Sequence, residues 1–179
     1  FATFVAIDMI SGEYAANTMK ITLARPVSRL GVFGAKVMNA AAFILANLLF
    51  VMALSLAVGF AFNPSTADAA GIARVVLAYV VTFVPVFAFT LLVVLLSVWI
   101  RGGLAVFFLS VLLYVGFHFL SIALPEYSSF FITSMFDWYS LWTAESANGF
   151  KILRQLLLMA GYSIMLFAAG YYAFDRKDL

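Results

Sequence analysis

Hydrophobic residues in this chain come in long runs, not in the short alternations or spaced stripes of a water-soluble fold. No Asp, Glu, Lys or Arg falls within 37–67, 75–100, 102–125 or 155–174. A bilayer-spanning helix needs about 20 mainly apolar residues, so the pattern predicts four complete spans at 37–62, 75–100, 104–123 and 151–173. Residues 1–10 (FATFVAIDMI) read as the last turns of a preceding span that begins upstream. Backbone groups in the bilayer core find no water, so a continuous span must be a helix or part of a closed barrel. Barrel strands are about ten residues long and alternate strictly, which these runs do not. The predicted fold is all-α: one polytopic transmembrane domain over 1–179, without internal repeats.

Between the runs lie a polar segment at 11–36, the loop NPSTADAAG at 63–71, the Arg101-Gly102-Gly103 break, an aromatic segment at 126–150 and a charged tail from Phe174. Of 179 residues, 66% are hydrophobic and 10% charged, against about a quarter charged in soluble domains. There is no Cys and one His, which excludes disulfides, zinc-thiolate sites, iron–sulfur clusters and zinc motifs that need two histidines. No nucleophile elbow or phosphate loop occurs, and Asp8 is the one acid that falls within a span, so paired intramembrane acids are absent. The formal charge of +2 is scattered between apolar runs and makes no basic face for nucleic acid.

The basic residues instead carry topology. Lys20, Arg25, Arg29, Lys36, Arg101, Arg176 and Lys177 fall on one side of the four spans. Arg74, Lys151 and Arg154 fall on the other. The positive-inside rule places the 11–36 segment, the Gly-Gly turn and the C-terminus in the cytoplasm.

The polar segment holds the most information. Glu13, Asn17 and Lys20 are spaced i, i+4, i+7 and share one helical face, with Tyr14, Thr18 and Ile21 beside it. Arg25 and Pro26 follow, and the residue before a proline is pushed out of the α region. Ser28 is then placed to cap a new helix running through Arg29 and Lys36 into the membrane. The residues alone fit a positive-inside loop with an interfacial helix, or a docking helix for a cytoplasmic partner's groove.

The string SGEYAANTMKITLARPVSRLGVFGAK resembles the cytoplasmic signature of the type-two ATP-binding-cassette export permeases. That signature has a Glu after the second span, a Thr, a Pro-x-Ser-Arg elbow and a Lys opening the next span. Here these are Glu13, Thr18, Pro26-Val27-Ser28-Arg29 and Lys36. Asn17-Thr18 stands where the family often has Gly-Thr, and the tail from Phe174 to Asp178 is also similar. The resemblance makes residues 1–10 the end of span two and the four complete spans numbers three to six, with span one absent from this sequence. It implies a permease subunit that binds no cofactor directly. ATP and Mg belong to a separate ABC ATPase subunit, which receives a short coupling helix formed by the polar segment. The membrane partners are the lipid bilayer and a second permease copy or a paralogue. An ion-coupled secondary transporter would need charged midplane sites, and the four complete spans contain no acid. A non-transporting assembly or anchor protein is opposed only by the signature.

Three residues inside the spans are candidates for a pathway or for helix packing. Asn47 lies near mid-bilayer, where an amide bonds a neighbouring helix or meets substrate. Pro85, one turn after Thr82, is expected to bend its span and could serve as a gating hinge. His118 is an intramembrane ionisable group close to a helix end. The aromatic segment, with Tyr127, Phe130, Phe131, Phe136, Trp138, Tyr139 and Trp142, is expected to form one or two short helices dipping into the outer leaflet.

Overall fold

The computed structural model of the chain describes residues 2–8, 12, 28–62, 68–100, 102–143 and 149–176. Helix α1 spans Ala2–Ile7, α2 Arg29–Phe62, α3 Ala69–Trp99 and α4 Gly103–Ala123. Two 3₁₀ helices, Pro125–Phe130 and Ile132–Trp138, lead into the short α5, Tyr139–Thr143, and the chain closes with α6, Gly149–Asp175. The described residues contain no strand, and α2, α3, α4 and α6 are each long and apolar enough to cross a membrane. The protein is an all-α, polytopic membrane protein.

The helices outrun the apolar runs that announce them. α2 begins at Arg29, ahead of residue 37, and α3 begins at Ala69 and carries Arg74 within it. Hydropathy marks the lipid-buried part of a helix, whereas backbone hydrogen bonding continues until a cap or turn stops it. The 34 residues of α2 extend about 51 Å at 1.5 Å per residue, well beyond a hydrocarbon layer of about 30 Å.

α3 is the hub. In its most apolar stretch 44% of residues are buried within the chain, against 6% for α2 and 11% for α4 and α6. Val93, Val94 and Val98 of α3 form the main core with Ala6 and Ile7 of α1, Val32, Phe33 and Val37 of α2, Val106 of α4, and Leu166 and Phe174 of α6. Hydroxyls on α3 return to their own helix, with Thr82 donating to Ala78 O at 2.7 Å and Thr90 to Val86 O at 2.8 Å. Each is thereby satisfied without help from lipid. The helix runs unbroken through the buried Pro85.

Two ends of the bundle differ. At one, which we call the base, the start of α2 meets the end of α6, and α1 meets the start of α4. A Cβ on Gly103 would lie 3.0 Å from Ile7 Cγ2, and Phe4 stacks on Phe107 at 4.8 Å between centroids. At the other end residues 125–143 fold as a cap over α3, α4 and α6. Ile132, Thr133, Met135 and Trp138 of the cap are buried, and Tyr162 of α6 donates its hydroxyl to Phe130 O at 2.8 Å. The cap has three short helical pieces where one or two were expected, because Phe131 adopts an extended conformation between the 3₁₀ turns.

Candidate functional site

The base is built from the first turn of α2. The Ser28 hydroxyl accepts a hydrogen bond from the Gly31 N–H at 3.1 Å, and the Ser28 carbonyl accepts from the Val32 N–H at 3.1 Å. Ser28 is therefore the N-cap that its place after the proline predicts. One residue later, Arg29 Nη1 donates to the backbone carbonyl of Asp175. That carbonyl belongs to the last turn of α6, where helical carbonyls lack intrahelical donors and the macrodipole is negative. Arg29 thus serves α6 as a capping cation, a role internal to this chain.

Below Arg29 the two helices interlock through aromatic rings. Phe33 is fully buried, with ring centroids 5.3 Å from Phe167, 6.2 Å from Tyr171 and 5.5 Å from Phe174. Phe33 Cζ would lie 3.0 Å from a Cβ on Gly170, so the glycine is the floor on which the ring rests. Lys36, on the same α2 face as Val32, Phe33 and Val37, is 9% exposed. On the outside of α6, Arg176 lies over the Tyr172 ring at 4.4 Å, a cation–π contact. Rings packed this closely leave little room to shear, so the start of α2 and the end of α6 are held as one unit.

Of the coupling residues expected from the sequence, Ser28, Arg29 and Lys36 are brought together at this base. Glu13, Asn17, Thr18, Lys20, Arg25 and Pro26 lie outside the described residues. The pathway candidates lie on α2, α3 and α4, beyond the base. Asn47 is half-buried, on the continuation of the α2 stripe formed by Val37, Ala40 and Ile44. Pro85 is buried in the middle of α3. His118 is exposed on α4, and its carbonyl accepts from Ser121 Oγ at 2.7 Å. Among the described residues no group of His, Asp or Glu could hold a metal ion.

Phe33, Gly170, Phe174 and Asp175 complete the base, and sequence reasoning passed over their joint role. A signal was there: Phe167, Tyr171 and Phe174 recur at helical spacing around a single glycine. What the spacing does not carry is the partner, which lies far away in sequence on α2.

Comparison with curated proteins and with solved structures gives no match. Against protein families, residues 1–179 match the ABC-2 family transporter proteins. With four described helices long and apolar enough to cross a membrane, the chain belongs to the ABC-2 transporter family as one of its membrane permeases.

Proposed function

We propose that this permease is the membrane subunit of an ATP-driven exporter. A separate ABC ATPase subunit binds ATP and Mg and carries out hydrolysis, and the permease contributes no catalytic group. Residues 12–25 are the segment that docks on the ATPase, with Glu13, Asn17, Thr18 and Lys20 at the contact and Arg25 leading into Pro26. The base of the bundle faces the cytoplasm, in keeping with the side that carries seven of the ten basic residues. A second copy, or a paralogue, completes the transport path.

The observation that carries this reading is the clasp at the base. Motion delivered to the elbow enters α2 at Ser28, and the contact of Arg29 with Asp175 and of Phe33 with Gly170 passes it directly to α6. A rigid element transmits a domain movement that a slack loop would absorb. ATP closure in the partner then moves two spans together.

Two sets of variants test the scheme. Glu13→Ala and Asn17→Ala are expected to reduce co-purification of the ATPase subunit. Arg29→Ala is expected to leave the ATPase bound while lowering ATP hydrolysis by the membrane complex. Normal docking and normal hydrolysis in all three would remove the proposal.

A further inference from the structure

Helix α3 is enclosed on most of its circumference and open on one side. Its packed neighbours follow one another as α6, α2, α1 and α4, each touching the next. Among the described residues α4 and α6 both lie against α3 but share no comparable packing with each other. The ring round α3 therefore has a gap, and the gap faces the bilayer.

Two hollows lie in that gap. The upper one, about 260 Å³, is lined by Leu92 of α3, Phe117 of α4, Phe131 of the cap, and Met165 and Leu166 of α6. Phe117 and Phe131 stack as one wall, 6.1 Å between centroids, and the hydrogen bond from Tyr162 to Phe130 O holds α6 to the cap beside it. The lower one, about 460 Å³, lies at the base between Val98 and Trp99 of α3 and Ala173 and Arg176 of α6. The two are successive parts of one groove. Leu92 and Trp99 are seven residues apart on α3, and Leu166 and Ala173 are seven apart on α6, so each pair shares a helical face. Between them α3 presents the half-buried Leu95 and Leu96, and α6 the small, exposed Ala169.

The groove has the depth of one leaflet. Leu166 precedes Arg176 by ten residues, about 15 Å along α6, and half of a hydrocarbon layer of about 30 Å is the same distance. Its lining changes over that depth as a lipid does. At the base it offers a cation and interfacial aromatics: Arg176 over the Tyr172 ring at 4.4 Å, and the exposed Trp99. Above, the side chains are hydrocarbon apart from the Tyr162 hydroxyl, which is already engaged. An apolar hollow without polar partners holds no water, and in a bilayer the material that reaches it is an acyl chain.

The charges at the base agree. Arginine carries five N–H donors, more than a ring contact uses, and it forks onto phosphate oxygens. Arg29 caps the last turn of α6 at the Asp175 carbonyl, which offsets the negative end of that helix dipole against an anion. The Asp175 side chain is one position from Arg176, and adjacent residues of a helix do not face each other.

We propose that this groove binds one phospholipid, with its phosphate on Arg176 beside Trp99 and one acyl chain running between α4 and α6 into the hollow over Leu92. The lipid closes the ring round α3, and the cation favours an anionic headgroup. The site needs only that the base lie at a membrane surface, and it stands apart from the exporter reading.

The full-length permease, delipidated in detergent, is titrated with phosphatidylglycerol, with phosphatidylcholine of the same chains and with inorganic phosphate. Native mass spectrometry reads bound lipid and thermal unfolding reads its effect. One phosphatidylglycerol should be retained and raise the melting temperature, phosphatidylcholine should bind more weakly, and inorganic phosphate should do neither. Arg176→Gln is expected to weaken retention about tenfold, the loss of a charge-assisted contact. Met165→Trp, which fills the mouth of the upper hollow and keeps Arg176, should weaken it too. Arg154→Gln, an exposed cation at the other end of α6, should not. An equal loss in Arg154→Gln would show a general attraction of basic residues for anionic lipid and overturn the site. Unchanged retention in Arg176→Gln overturns the headgroup placement, and in Met165→Trp the path of the chain. Equal retention of phosphatidylcholine overturns the anionic preference, and stabilisation by inorganic phosphate overturns a lipid as the ligand. If Arg176→Gln does not fold, Arg176→Lys, which keeps the charge without the fork, is read in its place and should lose part of the retention. No retained lipid overturns the proposal, and cross-linking of two copies through Met165→Cys would then assign the groove to a second permease. None of these outcomes bears on ATPase docking by residues 12–25, so the exporter reading is tested separately.

Discussion

The ring of Phe33 lies so close to Gly170 that a Cβ added to the glycine would sit 3.0 Å from Phe33 Cζ. Residue 33 lies near the start of the first long helix and residue 170 near the end of the last, so this contact joins those two helices at the base. Alanine in place of glycine gains about 1 kcal/mol of helix propensity, while overpacking costs about 1–3 kcal/mol. Steric cost therefore decides. Gly170→Val is expected to lower the melting temperature clearly and Gly170→Ala slightly. Gly161→Ala, on the same helix with open space around it, should be neutral or stabilising. Phe33→Leu should recover part of the loss in a double variant, and thermal unfolding in detergent reads all four.

Ser28 offers a cleaner local test. Loss of an N-cap hydroxyl costs about 1 kcal/mol, and replacement by glycine only a few tenths. Ser28→Ala should therefore destabilise the start of α2 more than Ser28→Gly, and Ser28→Asp should hold wild-type stability. Hydrogen exchange at the Gly31 amide, the group that Ser28 Oγ receives, is expected to follow the same order.

Orientation is open to direct labelling. Cysteines at Ser65 and Ser146 should react with impermeant thiol reagents applied from outside the cell, and a cysteine at Ser28 should react only after the membrane is opened. The reverse pattern would invert the proposed topology and place the clasp away from the cytoplasmic ATPase.

Pairing of permeases is expected along the outer part of α2. Leu45, Leu49, Phe50, Leu54 and Val58 there are exposed within one chain, and symmetric association is the common way to complete a membrane assembly. Asn47→Cys should cross-link two copies, or one copy to the matched position of a paralogue. Efficient cross-linking at Met165 of α6 with none at position 47 would move the seam to the other side of the bundle.

Much of the architecture was legible because lipid imposes a simple rule. Charge-free runs of about 20 or more residues must be helices in lipid, and each of the four runs coincides with one long helix, α2, α3, α4 or α6. Ser28 was readable for a similar reason: a cap acts within three residues of its own position. Long-range packing was not. Hydropathy treats α2 and α3 alike, yet one is mostly exposed and the other is the hub. Nor does it distinguish Arg29 facing a partner from Arg29 turned onto the last carbonyls of α6. Both are set by which surfaces meet after the helices have formed. The groove between Trp99 and Arg176 escaped notice because the two residues lie far apart in sequence and each reads most simply as an interfacial anchor.

Ser55 Oγ and Tyr79 OH lie 2.8 Å apart, joining α2 to α3 across their single connecting loop. The two residues are 24 positions apart in the order of synthesis, so this helical hairpin can fix its register before α6 is made. The wall that encloses Phe33 comes from the final turns of α6 and is synthesised well after α2. Until Phe174 and Asp175 are in place, the start of α2 lacks its clasp. A chain truncated before Phe174 would insert its spans and leave that first turn unsupported.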